Sequence, residues 1–334
     1  MTEILNHKDG RILLEPAISG KFSIRVEMTN KSIFCPTDRC ETTYGIELVN
    51  RILDFKGPAY LCDEIMRDED SQYVQKHMRY DTLSYLTEDK FAHRRILDFG
   101  CGSGASTMIL HRMFPDSSVV GVELDPDLLE IAKLRAKHYR ACDRVHLLLS
   151  PAGDELPENM GSFDFIFLNA VYEHLLPTER VEVLSMLWQR LKPTGVLFIN
   201  QTPYRWFPVE IHTTSGLPFI NYLPDRLALH YAKRLSKRGL HDTSWEELLR
   251  KGIRGGSAHE IMSILMRCRG SPRLLEPCNL GMKDRIDMWF AVIGKSKYVG
   301  IKKTMLYAAK FIKTVTGLTF LPTLALAIQK GDAD

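Results

Sequence analysis

From residue 95 the chain alternates short apolar runs with apolar positions at helical spacing. "RILDFG" reads as a short buried strand and "ASTMILHRMF" as a helix stopped by Pro115. "SVVGVEL" is a second strand, and "DPDLLEIAKLRAKHY" a helix with Asp125 as its cap and Pro126 at its first position. "RVHLLLS" and "FDFIFLNAV" are a third and a fourth strand. "TERVEVLSMLWQRLK" is an amphipathic helix, and "VLFINQ" a fifth strand. Strands that alternate with helices imply right-handed crossovers and a mainly parallel sheet.

The flanks differ. Residues 11–35 look β-rich, with strands at "RILLEP", "KFSIRVEM" and "SIFC". Residues 44–55 and 59–87 carry helical spacing. After residue 202 a long irregular stretch, "TPYRWFPVEIHTTSGLPFINYLP", precedes a mixed helical region over 225–268; a connection of that length is usually functional. "PRLLEP" and "RIDMWFAVIG" read as late strands that close the sheet by residue 294. The expected fold is a Rossmann-like, doubly wound α/β sheet, mostly parallel, with an N-terminal α+β extension and a helical C-terminal extension. The expected boundaries are 1–90, 91–294 with an insertion at about 203–270, and 295–334.

Composition changes this little. The 334 residues are 45% apolar and 25% charged, ordinary for a globular protein. A net charge of +3 is too small to point to nucleic acid. Seven cysteines are scattered with no CxxC spacing, against a zinc ribbon or a disulfide framework. "MTEILNHKDG" lacks an apolar signal segment. No apolar run reaches the ~18 residues of a spanning helix. These features fit a reducing, cytoplasmic setting.

Chemistry concentrates at the strand tips, because such sheets bind ligands outside their carboxyl ends. "DFGCGSG" places Asp98, Gly100, Gly102 and Gly104 in a D-x-G-x-G-x-G loop, with Ala105 where the dinucleotide fingerprint wants its third glycine. Asp98 would repel a pyrophosphate by ~1 kcal/mol at contact, but suits an amine-bearing ligand. Glu123, at the next strand tip, can accept hydrogen bonds from both hydroxyls of a ribose, a device that NAD sites also use.

At "DFGCGSG", "VVGVELDPDLLEIAK" and "GSFDFIFLNAVYEHL" the sequence resembles the class I methyltransferases that use S-adenosylmethionine (SAM). The resemblance runs from about residue 94 to 204 and more weakly to 294. It implies that Asp98, Gly100, Cys101, Gly102 and Gly104 surround the methionine end of SAM, with Glu123 and Leu124 at the ribose. Many such relatives hold the adenine amino group with an Asp after the third strand. Here Pro151 or Ala152 falls near that position, and Ser150, Ala152 and Asp154 are the candidates. Asn169 ends the fourth strand, near the expected place of the methyl group.

SAM carries an activated methyl, so the protein must place a nucleophile in line and exclude water. A hydroxyl acceptor benefits from a base. His174, after Glu173, is one candidate, with a role as a shelf for the cofactor as its alternative. The second candidate set is Tyr204, Arg205, Trp206, Glu210 and His212, with His212 as base and Glu210 orienting it; its alternative is a pair of aromatics covering the sheet end and a solvated His212. Ubiquinone-type O-methyltransferases resemble the "YEH" segment and carry another acid three residues before the Glu for a metal. That position is Ala170 here, so no metal is expected.

Residues 288–330 hold seven lysines and no Asp or Glu. On a helix from 298, Ile301, Met305, Ala308, Ile312 and Val315 share a face, followed by "VTGLTFLPTLALAI". Such a segment suits peripheral membrane contact through residues 298–328, or a helix docked on the domain or at a homodimer interface. The reading is a SAM-dependent methyltransferase acting on a small-molecule, sugar or lipid-linked acceptor, at a hydroxyl. Its alternatives are N-methylation of an amine, a SAM-binding scaffold or sensor without transfer, and a Rossmann oxidoreductase.

Overall fold

The computed structural model describes residues 3–17, 20–30, 32–153, 155–212, 214–293 and 299–332. In chain order the elements are β1 (Glu3–His7), β2 (Gly10–Pro16), β3 (Phe22–Met28), β4 (Arg39–Thr42), α1 (Ile46–Lys56), α2 (Pro58–Glu69), α3 (Val74–Leu83), β5 (Arg95–Phe99), α4 (Ala105–Met113), β6 (Ser118–Glu123), α5 (Pro126–His138), β7 (Val145–Leu149), β8 (Phe163–Asn169), α6 (Pro177–Arg190), β9 (Leu191–Pro203), α7 (Asp225–Leu235), α8 (Trp245–Arg250), α9 (Ala258–Leu265), β10 (Pro272–Leu274), α10 (Arg285–Ile293), α11 (Val299–Thr316) and β11 (Thr323–Lys330). Strands β5 to β11 make a seven-stranded, mostly parallel sheet, the Rossmann-like α/β class. The chain divides into two compact units, 1–78 with 101–149, and 79–100 with 150–334.

In the first unit β1 to β4 form an antiparallel meander. Their alternation turns Ile12, Leu14, Ile24 and Val26 to one side, where they pack with Leu48, Val49 and Ile52 of α1, Leu61 and Ile65 of α2, and Ile131 of α5. The N-terminal segment thus shares a core with a helix of the nucleotide-type fold. A charged knot lies beside it. Arg135 of α5 is fully buried and meets Glu64 at 2.9 Å and Asp68 at 3.5 Å. The Tyr44 hydroxyl donates to Asp68 at 2.5 Å, and Ser103 Oγ donates to Glu64. Strands β6 and β7 run parallel, and Asp125 caps α5 by accepting from the N–H groups of Asp127 and Leu128.

In the second unit the strand order is β10-β11-β9-β8-β5. Strands β5, β8 and β9 are parallel, and β11 lies antiparallel to both β9 and β10. Residues 165–168 and 196–199 are buried without alternation, as strands covered on both faces must be. Phe167 and Phe198 stack with ring centroids 4.6 Å apart. At the amino end of β8, Asp164 accepts from the N–H of Arg95 and from Lys192 Nζ, which clamps β5 to β8 and β9. Helices α7 and α8 build a small core of their own around Ala228, Ala232, Leu248 and Ile253.

Three expectations are corrected. Residues 32–35 form no strand, and the strand pairing with β3 lies at 39–42. Residues 285–293 are helix α10, where a strand was expected; Gly294 lies outside the described residues. The sheet is closed instead by β11, which falls inside the expected C-terminal extension. Helix α11 forms as expected, but two of its lysines turn inward. Lys310 pairs with Asp284 at 2.9 Å and Asp287 at 2.7 Å, and Lys313 with Asp284 at 3.0 Å. Ile301, Met305, Phe311 and Val315 are exposed. Among the described residues no helix is long and apolar enough to cross a membrane.

Candidate active site

In the first unit the glycine loop joins the tip of β6. Glu123 Oε2 accepts the Gly102 N–H at 2.7 Å, and Oε1 accepts the N–H groups of Leu124 at 2.8 Å and Asp125 at 3.1 Å. Gly104 is left-handed (φ 86°), and a Cβ there would stand 2.7 Å from Ala132 Cβ, so only glycine lets α4 start this close to α5. Gly102 is also left-handed (φ 55°), but a Cβ there would meet nothing within 4 Å. The loop is therefore open on that side, as a cradle for a ligand must be. Cys101 is buried and donates its N–H to Val122 O. Leu124 is exposed, as a residue that lies against a ligand in solvent would be.

In the second unit a polar ladder crosses the carboxyl ends of three strands. Asn169 of β8 donates to Asp98 of β5 at 3.4 Å and accepts from Asn200 of β9 at 3.2 Å. Asp98 is only 1% exposed. A Cβ on Gly100 would strike Val171 Cγ2 at 2.8 Å. Ala170 holds a left-handed backbone (φ 54°), rare for a residue with a Cβ, and its N–H donates to Asn200 O. This kink turns the chain from β8 into a 3-10 turn over Tyr172–His174.

That turn builds the chemical centre. Glu173 is fully buried; its Oε2 accepts from Thr202 Oγ1 at 3.0 Å, and its Oε1 lies 3.5 Å from His212 Nε2. The rings of His174 and His212 meet edge to face at 4.9 Å. His174 Nδ1 lies 2.7 Å from Arg250 O, and His212 Nδ1 lies 2.8 Å from Lys251 O. A carbonyl only accepts, so each Nδ1 carries a proton. Burial works to lower the pKa of His212, but the Glu173 carboxylate and the Lys251 carbonyl outweigh it and hold that pKa above the usual imidazole value. Ligand atoms of Glu173, His174 and His212 all lie within 4.8 Å of one another.

The structure thus brings both candidate histidines together. It separates Glu210 from the task assigned to it: Glu210 Oε2 accepts from Ser215 N, Ser215 Oγ and Gly216 N, and so ties its own loop. The carboxylate beside His212 Nε2 is Glu173. Tyr204 packs edge-on against Phe320 at 5.9 Å and donates its N–H to Pro322 O, which continues the bonding between β9 and β11. Trp206 is 46% exposed, with the Arg205 guanidinium over its ring at 4.6 Å. Ala152 O accepts from Ser150 Oγ, and Asp154 lies outside the described residues. Thr202, Asn200 and Gly252 were not singled out from sequence. Gly252 is left-handed (φ 79°), and a Cβ there would stand 2.6 Å from His212 Nδ1.

The family model for a methyltransferase domain matches residues 96–195. The chain is 24% identical over 180 residues to the ubiquinone/menaquinone biosynthesis C-methyltransferase UbiE of Citrifermentans bemidjiense, covering 49% of this chain and 75% of that protein. It is 34% identical over 109 residues to the trans-aconitate 2-methyltransferase of Methylobacterium radiotolerans, covering 33% of this chain and 38% of that protein. It is 31% identical over 146 residues to the malonyl-[acyl-carrier protein] O-methyltransferase of Bacillus cereus, covering 42% and 50%. The chain thus spans half or less of the latter two proteins. With the seven-stranded sheet and its glycine loop, this match supports a class I SAM-dependent methyltransferase domain over residues 96–195.

Proposed function

We propose that the chain transfers the methyl group of SAM to a hydroxyl of a small-molecule, sugar or lipid-linked acceptor. The observation that carries this reading is the cluster in which Glu173 and His174, on the turn that leaves β8, meet His212 from the loop after β9. A hydroxyl must lose its proton as the new bond forms, and a cluster of one buried carboxylate and two imidazoles is suited to that. An amine would need only to bind neutral.

In this reading Asp98, Gly100, Cys101, Gly102 and Gly104 receive the methionine end, Glu123 and Leu124 the ribose, and Ser150 with Ala152 the adenine. Bound SAM supplies a methyl on a sulfonium. The acceptor O–CH3 bond would form as the S–CH3 bond breaks, the bond pair would stay on sulfur, and the hydroxyl proton would be lost at the cluster. Asn169 holds Asp98 in place, and the exposed Trp206 faces the acceptor side in this reading. The exposed apolar stripe of α11 supports a peripheral contact with a lipid surface, which co-sedimentation with anionic vesicles tests; protein that stays in the supernatant would end that part of the reading.

The test of the main reading is release of S-adenosylhomocysteine from SAM with matched hydroxyl and amine acceptors of the same skeleton. Turnover confined to the hydroxyl members is expected. Turnover confined to the amines would replace the reading by N-methylation. SAM binding with turnover on neither would favour a scaffold.

A further inference from the structure

The geometry points to a divalent-cation site formed by Glu173, His174 and His212. Donors held about 2.0–2.2 Å from one ion in a tetrahedral set stand about 3.3–3.6 Å apart. Glu173 Oε1 and His212 Nε2 already have that spacing, at 3.5 Å, and the third donor joins within 4.8 Å.

The rings are set for the same task. Each Nδ1 gives its proton to a backbone carbonyl, Arg250 O or Lys251 O. A neutral imidazole held this way keeps its lone pair on Nε2. Metal-bound histidines use this arrangement, with one nitrogen on the ion and the other N–H on a carbonyl or carboxylate. Gly252 fixes it further, since any side chain there would push His212 aside.

The carboxylate supplies an independent sign. Glu173 is fully buried, and its Oε1 takes no donor at hydrogen-bond geometry. An orphaned carboxylate oxygen costs free energy. A cation between it and His212 Nε2 removes that penalty. Two imidazoles and one carboxylate suit Zn2+, Co2+, Mn2+ or Fe2+ better than Mg2+ or Ca2+, which favour all-oxygen shells. The acid that Ala170 lacks is thus replaced by a ligand from the loop after β9.

The site's role rests on the methyl-transfer reading above: the cation would bind the acceptor oxygen, the hydroxyl proton would pass to solvent water, and the alkoxide would take the methyl. No electron is gained or lost.

The binding claim is tested without SAM or acceptor. Full-length protein, stripped by chelator dialysis, is titrated with Co2+ and then with Zn2+. One equivalent of Co2+ is expected, with visible d–d absorption that Zn2+ displaces. Glu173→Gln and His212→Ala are expected to weaken uptake by at least roughly tenfold, while circular dichroism shows them folded. If the buried Glu173→Gln fails to fold, the partly exposed His174→Asn takes its place. No stoichiometric uptake by the wild type would overturn the proposal, as would uptake unchanged in the folded variants. The first result would leave a protonated His212 paired with Glu173. A protein that binds SAM but takes no Co2+ ends this inference and leaves methyl transfer standing.

Discussion

Glu173 and His212 meet across 39 residues of sequence (212 − 173), and a glycine decides whether they do. Gly252 has a backbone that disfavours a Cβ and a neighbour that forbids one. Gly252→Ala is expected to displace the imidazole and reduce turnover by about 10²-fold, the penalty of a misplacement near 1 Å, while SAM affinity holds. Steady-state kinetics with a parallel SAM titration reads both. Glu123→Ala removes the acceptor of three backbone N–H groups and the proposed partner of the ribose; SAM should bind ~1–3 kcal/mol more weakly, as calorimetry reads. The glycines, Glu123 and both histidines could be proposed from sequence because they lie on a local loop or at strand tips. The part played by Glu173 could not, because its partner arrives from a distant loop. The hydrogen bonds of Glu210 were hidden for a related reason: its donors are the backbone N–H groups of Ser215 and Gly216 and the hydroxyl of Ser215, and sequence shows no backbone direction.

Among the elements, the parallel strands could be read because each is a short apolar run before a capped helix. The late elements could not. "RIDMWFAVIG" is apolar, aromatic and short, so periodicity does not separate a strand from a buried helix. "TLALAIQK" is rich in Leu and Ala, and its strand state comes from pairing with β9 and β10 rather than from propensity. What fixes α10 as a helix against α11 is Asp284. Its burial works to raise its pKa, but Lys310, the N–H of Asp287 and Lys313 outweigh that and hold the carboxyl at about 2. A depressed carboxyl contributes stability that is fully present above its unfolded value, about 3.9, and is lost as pH falls through the folded one. Asp284→Asn should therefore lower the melting temperature at pH 6, and its deficit should shrink as pH falls from 4 towards 2. A deficit independent of pH would contradict the ion pairs.

For the molecule as a whole, the N-terminal 78 residues belong to the same compact unit as residues 101–149, and the buried Arg135 knot shows why. Arg135→Ala would leave Glu64 and Asp68 buried without their cation. A loss of ~3–5 kcal/mol in unfolding free energy is expected, measured by denaturant titration. Sequence placed that segment as an extension because its strands and helices precede the alternating pattern; packing around Ile131 and Arg135 joins them. The central claim is that the glycine loop and its flanking acids serve SAM rather than a dinucleotide. Isothermal titration of the purified chain with SAM, S-adenosylhomocysteine and NAD tests it most directly. The account predicts one site per chain for SAM and S-adenosylhomocysteine, weakened in Asp98→Ala and Glu123→Ala, and no uptake of NAD. Tight binding of NAD with none of SAM would contradict it.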